Sequence, residues 1–259
     1  KLKTSLFIVS SFLIPAIMMF FIYLSQGIYW NSDTSPLLGD GYHQYVIFDT
    51  TLRNILHGTD SLFYSFQSGL GINFYALSSY YLGSFFSPLV FFFNAQSMPN
   101  AVYLITLLKF GAIGLSTYIS LHGMFSKIPR SLVLTLSTSF ALMSFAISQI
   151  EIKTWLDVFI LAPLILYGFK KLIYNEGEIL YFISLTSLFI QNYYFGFMMS
   201  IFLILWYLTQ LSWDIKGIGK RFFHFVIVSL LSVITSLVML YPTFLDLRTH
   251  GESFSKVDS

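Results

Sequence analysis

Cysteine is absent from the 259 residues and charge is scarce, at 10% Asp, Glu, Lys and Arg together. The first absence excludes disulfides, thiol nucleophiles and thiolate metal sites. The second argues against a soluble globule, which needs about a quarter of its residues charged. The net charge is only +2. No basic patch remains once Lys and Arg are assigned to membrane topology, so nucleic acid is not an expected partner. There is also no Walker loop, dinucleotide fingerprint or His-Glu-x-x-His, which leaves nucleotide hydrolysis, redox and zinc chemistry without support.

What the chain has in abundance is apolar and aromatic residue, 56% and 19% respectively. These fall into blocks over residues 5–29, 101–122, 131–150, 158–167, 180–190, 195–211 and 222–241. Crossing a hydrocarbon core of about 30 Å takes roughly 20 helical residues. The fold class expected is therefore an all-α polytopic membrane protein with about seven spanning helices. The first block is too long for a signal peptide, and no small-residue cleavage pattern follows Tyr29 and Trp30. Gln191, Asn192, Tyr193 and Tyr194 interrupt one long apolar stretch, which reads as two short helices joined by a tight outer turn. The chain opens on Lys1 and stops at Ser259 in polar sequence. It is expected to be one transmembrane module, the N-terminal part of a longer protein.

With the N-terminus inside, the cytoplasm receives Lys1, Lys3, Lys127, Arg130, Lys170, Lys171, Lys216, Lys220 and Arg221. The outside receives only Arg53, Lys153, Arg248 and Lys256. The positive-inside rule favours this orientation, which in turn requires residues 80–93 not to span. Gly83, Ser84, Ser87 and Pro88 suit a broken, partly submerged segment there. Residues 31–100 then form one extracytoplasmic loop. Within it, Phe48, Leu52, Ile55 and Leu56 follow Tyr45 at helical spacing, with Gln44, Asp49, Thr51, Arg53 and Asn54 on other faces. That pattern predicts an amphipathic helix lying on the membrane surface. A glycine-punctuated turn at Ser68, Gly69, Leu70 and Gly71 is expected after it.

Several of these residues resemble the bacterial YfhO family. Gly39, Asp40, Gly41, Tyr42, His43, Gln44 and Tyr45 lead into the helix. Leu62 to Phe66, Gly69 to Phe74 and Tyr80, Tyr81, Leu82 follow in order. Further on come Trp155, Leu156, Asp157 before Ala162, Pro163, Leu164, and then Asn192 to Met198. The resemblance covers nearly the whole chain. One departure is that the family pattern places an Asn shortly before Trp155, where this chain has Glu151, Ile152, Lys153 and Thr154.

The resemblance implies a GT-C type glycosyltransferase in a bacterial plasma membrane, its active site extracytoplasmic. Such an enzyme moves a sugar from a polyprenyl-phosphate carrier to a cell-envelope glycopolymer such as teichoic acid. That chemistry needs a base for the acceptor hydroxyl and donors for the leaving phosphate. Asp40, beyond the end of the first span, is the candidate base. The competing reading makes it a cap on the amphipathic helix. Gln44, Tyr45 and His43 lie within about one turn of it and are candidate substrate contacts. Arg53 would meet phosphate through its fork of donors, or simply contact headgroups.

Trp155 and Asp157, with Lys153, are placed in an outer turn opposite Asp40, or serve as interfacial anchors. Asn192 and Tyr193 complete the candidate set, with an aromatic belt as their plainer reading. Lys109 lies deep in a span, about 14 Å down at 1.5 Å per residue. It would hold an anionic carrier lipid or bond neighbouring carbonyls. Thr106, Ser116 and Ser120 near its face turn it toward the bundle. No cofactor is predicted; a divalent cation could bridge outer carboxylates and the phosphate, but Asp33 and Asp40 give no specific ligand spacing for one. The competing functions are a transporter or flippase of a lipid-linked or small polar solute, using Lys109 as part of a pathway, and a non-catalytic scaffold.

Overall fold

A computed structural model describes residues 2–67, 71–210 and 218–257. Among the described residues ten α-helices run in chain order: α1 (Leu2–Ser25), α2 (Val46–Leu56), α3 (Phe74–Tyr81), α4 (Met98–Met124), α5 (Arg130–Ala141), α6 (Ser144–Ser148), α7 (Lys153–Ile173), α8 (Ile179–Gln191), α9 (Tyr193–Gln210) and α10 (Ile218–Val257). A π-helical turn, Gly41–Tyr45, feeds α2, and a 3-10 helix, Ser87–Phe92, precedes α4. The strands among the described residues are β1 (Tyr64–Ser65) and β2 (Ile72–Asn73), which pair antiparallel. The glycine-punctuated turn expected at 68–71 falls largely outside the described residues.

Among the described residues, four stretches are long and apolar enough to cross a membrane: Thr4–Ser25, Met98–Met124, Arg130–Ser148 and Gly219–Arg248. Of these α4 is the central post. Its most apolar window is 61% buried, against 17% for α1 and 22% for the other two. The outer helices present Leu6, Phe21, Phe223, Leu230 and Val238 outward, an apolar surface suited to lipid. Small residues let the backbones approach. A Cβ at Gly114 would sit 2.3 Å from the Ser11 carbonyl oxygen and 2.6 Å from the Pro15 ring, so α1 and α4 meet only because nothing larger is there.

Helices α1, α5 and α7 flank α4, and α8 links α7 to α9 and α10. One core cluster lies among α7, α8, α9 and α10 around Phe169, Tyr181, Leu185 and Tyr207. Another joins α1, α4 and α7 through Met19, Phe110, Ile113 and Leu156. A third lies beneath α2, where Val90, Met98, Ala101 and Ile105 take Val46 and Leu52.

Three sequence expectations need correction. The block at 158–167 is the middle of a longer helix, α7, which starts at Lys153 because the charges in its first turns find buried partners. Residues 131–150 are interrupted between α5 and α6 at Leu142 and Met143. Helix α2 does not carry Asp49 on a solvated face. Asp49 and Thr51 are buried, and the helix packs on α4 and the 3-10 turn.

The stretch 80–93 divides between the end of α3 and the 3-10 helix, neither of spanning length. The ends of the predicted outer loop meet each other. The Asn31 backbone N–H donates to Asn100 Oδ1 at 3.0 Å, and Asn100 Nδ2 donates back to Asn31 Oδ1 at 2.5 Å.

Candidate active site

The chain reaches the site through Gly39, whose φ of +46° suits a residue without a side chain. A Cβ there would also fall 2.3 Å from Glu151 Oε2. The backbone then winds into the π turn, closed by Val46 N–H donating to Gly41 O. Asp40 stands at its start with helical backbone angles and makes no capping bond. Instead its exposed carboxylate accepts from Gln44 Nε2 at 3.2 Å. The capping alternative therefore has no geometric basis, while the pairing with Gln44 follows from their i, i+4 spacing. His43 is exposed, edge-on to the Tyr42 ring at 5.3 Å.

Tyr45 fixes the turn from below. Its buried hydroxyl shares a 2.8 Å hydrogen bond with Thr154 Oγ1 at the start of α7. Burial raises the phenol above its ordinary pKa, so Tyr45 keeps its proton. Asp49 follows one helical turn later. Both its carboxylate oxygens accept from Lys153 Nζ, and both residues are buried. The same ammonium lies 5.5 Å from the centre of the Tyr45 ring.

A second buried pair lies beside the first. Lys109 Nζ, wholly enclosed, donates to Asp157 Oδ2 at 2.6 Å and to the Lys153 carbonyl at 2.8 Å. Ser84 Oγ donates to Asp157 Oδ1 at 2.8 Å. Thr106, Ser116 and Ser120 are buried with it. Two cations and two anions thus neutralise one another while tying α2, α4, α7 and the segment after α3 together. Charges in such surroundings persist only when paired and hydrogen-bonded.

The remaining predicted residues divide. Asn192 Oδ1 accepts from the Phe195 backbone N–H at 3.2 Å and so starts α9, which explains the break between α8 and α9. Its Nδ2, like Gln191 Nε2 and Trp155 Nε1, is buried without an acceptor among the described residues. Trp155 packs edge-on against Phe195 at 5.1 Å. Tyr193 reaches the Asp40 turn through a series of rings, with Tyr193–Tyr80 at 6.2 Å, Tyr80–Tyr81 at 4.9 Å and Tyr81–Tyr45 at 5.2 Å. Arg53 is not part of this assembly. Its Nε donates to the Phe93 carbonyl at 2.9 Å and one terminal nitrogen to Asn54 Oδ1.

Glu151, Asp49, Ser84, Thr154 and Tyr81 are the residues that sequence reasoning passed over. Asp49 had a signal: it follows Tyr45 at i+4, on the same helical face as a residue already singled out. Ser84 and Thr154 had none, because hydroxyls are common in loops and helix starts. Among the described residues no group of three or more His, Cys, Asp or Glu is placed to hold a metal ion.

The family model described as bacterial membrane protein YfhO matches residues 10–259. No curated protein matches, and no solved structure does. A match over nearly every residue, to a chain whose helices include four of membrane-crossing length and composition, places this protein in the YfhO family of bacterial membrane proteins.

Proposed function

We propose that the protein is a membrane glycosyltransferase that moves a sugar from a polyprenyl-phosphate carrier to a hydroxyl of a cell-envelope glycopolymer, with Asp40 as the base. The observation that carries this reading is the setting of Asp40. Its carboxylate is exposed, oriented by Gln44, and mounted on a turn whose far side is anchored by Tyr45. In the reaction Asp40 takes the acceptor hydroxyl proton as the oxygen attacks the anomeric carbon. The bond from that carbon to the phosphate oxygen breaks, and polyprenyl phosphate leaves with the electron pair. Family membership supports the class of reaction. The transporter reading relied on Lys109 as part of a pathway, and the engagement of its ammonium with Asp157 and the Lys153 carbonyl weighs against it.

The reading also includes a topology of about seven spans, the N-terminus inside and the Asp40 turn outside. The test of mechanism is reconstitution of the full-length protein with polyprenyl-phosphate sugars and candidate acceptors. General-base catalysis contributes about 100-fold to 10,000-fold, so Asp40→Asn should lose at least the lower amount while still inserting and binding carrier. Transfer at nearly the wild-type rate would move the base elsewhere. Glu151, against Gly39, then becomes the next residue to change, ahead of Asp157, whose carboxylate is occupied by Lys109 and Ser84.

A further inference from the structure

Helices α9 and α10 both pack on α8 but touch each other little. Between them lies a cleft of about 250 Å³ lined by Ile204 of α9, by Phe222, Leu230 and Val233 of α10, and by Tyr181 of α8. Ile204, Phe222 and Leu230 are exposed, so the cleft opens on the apolar outer surface of the bundle. Its hydroxyls are committed within the protein. Tyr181 shares a 2.8 Å hydrogen bond with Ser229 Oγ, and Ser200 Oγ donates to the Gly196 carbonyl at 2.9 Å. The surface facing the space is therefore almost entirely carbon. At the Phe222 end the sequence turns basic. Lys220 is exposed, and Arg221 Nη1 donates to the Ile173 carbonyl at 2.6 Å, which ties the start of α10 to the end of α7. Around these two helix ends Lys170, Lys171, Lys220 and Arg221 stand against Glu176 and Glu178 among the described residues.

We infer that this cleft holds an acyl chain of an anionic phospholipid whose phosphate lies against Lys220 and Arg221. Depth and chemistry both select this occupant. From Phe222 to Val233 α10 rises about 16 Å at 1.5 Å per residue. That is roughly half of a hydrocarbon core of about 30 Å, the depth of one leaflet. A polar solute entering the cleft would give up its water and gain no hydrogen bond. Inorganic phosphate would meet the cations but has nothing to place between the helices. A zwitterionic lipid has the chain, yet brings its own ammonium to a basic rim. An anionic phospholipid satisfies the apolar walls and the rim together, as basic sites between spanning helices do for acidic headgroups. The cleft is also remote from the Asp40 turn. Helix α7 meets that turn at Thr154 and meets Arg221 at Ile173, and those residues are roughly 28 Å apart along its axis. The occupant is thus a lipid of the bilayer and not a carrier whose phosphate reacts beside Asp40.

This inference does not depend on the transferase reading, and its test needs no assay of transfer. Full-length protein is reconstituted in nanodiscs with phosphatidylglycerol or phosphatidylcholine carrying a diazirine midway along one acyl chain. After illumination the labelled residues are mapped by mass spectrometry. The phosphatidylglycerol probe should label α9 and α10 around Ile204 and Leu230, and should do so about fivefold or more above the phosphatidylcholine probe. Lys220→Gln, at an exposed position, should lower that preference roughly fivefold, the effect of one basic side chain at a lipid surface. Salt at about 1 M, where the Debye length falls to about 3 Å, should reduce the preference and leave the chain contact in place. Ile204→Trp fills the mouth of the cleft and should lower labelling of α10 by both probes, with an unfolding temperature near wild type showing that the variant is folded. Equal labelling by the two probes, a preference that ignores Lys220→Gln, or label spread evenly over α1 and the outer face of α10 overturns the inference. So does polyprenyl phosphate that displaces the probe better than unlabelled phosphatidylglycerol, since the cleft would then belong to the carrier.

Discussion

Lys153 illustrates how much one side chain carries when it is buried beside a carboxylate. Its ammonium satisfies both oxygens of Asp49, and neither residue reaches solvent appreciably. Lys153→Met keeps the length of the side chain and leaves Asp49 charged and alone. Removing one partner of a buried pair costs about 3–5 kcal/mol, whereas replacing both with apolar groups of similar volume is often neutral. Thermal unfolding in detergent should therefore show a large loss for Lys153→Met and substantial recovery when Asp49→Leu is added. A double variant as unstable as the single would mean that the pair itself contributes the stability. None of this was legible in the sequence, where Asp49 looked like one more polar residue on the water side of an amphipathic helix. Period and composition cannot distinguish a solvated carboxylate from one whose cation arrives from a distant helix.

Among the elements, α3 matters most to the site although it has only eight residues. It ends against the junction of α8 and α9, where a Cβ at Gly83 would lie 2.6 Å from Gln191 Cα and 2.7 Å from the Ile190 carbonyl oxygen. Both obstacles are backbone, so neither can swing aside. Gly83→Ala should push α3 off this junction at an overpacking cost of about 1–3 kcal/mol, read as a lowered unfolding temperature. A variant as stable as wild type would show that the contact is looser than it looks.

The break beneath this contact was readable in advance, because Gln191 and Asn192 are polar in an otherwise apolar run and Asn is a good helix starter. So was the failure of residues 80–93 to form one spanning helix, from Gly83 and Pro88. The start of α7 was not. Lys153 and Asp157 argue for a solvated turn until their partners Asp49 and Lys109 are known.

For the whole molecule, the proposed topology puts Ser61, between α2 and β1, outside and Ser126, just past the end of α4, inside. Both are exposed, so single cysteines there should be accessible where the aqueous phase is. In intact cells a membrane-impermeant maleimide should label Ser61→Cys and spare Ser126→Cys, and the reverse pattern would invert the assignment. The buried pairs carry a further consequence for how such a molecule is made. Asp49 and Lys153 are 104 residues apart in the chain. At synthesis rates of about 5–20 residues per second, the carboxylate waits roughly 5–20 s for its cation. Until then α2 has every electrostatic reason to remain in water. Closure of the α2 segment over α4 is thus timed by the emergence of α7, and a ribosome stalled short of Lys153 would hold a nascent chain whose first helix is complete but whose Asp40 turn has not yet been assembled.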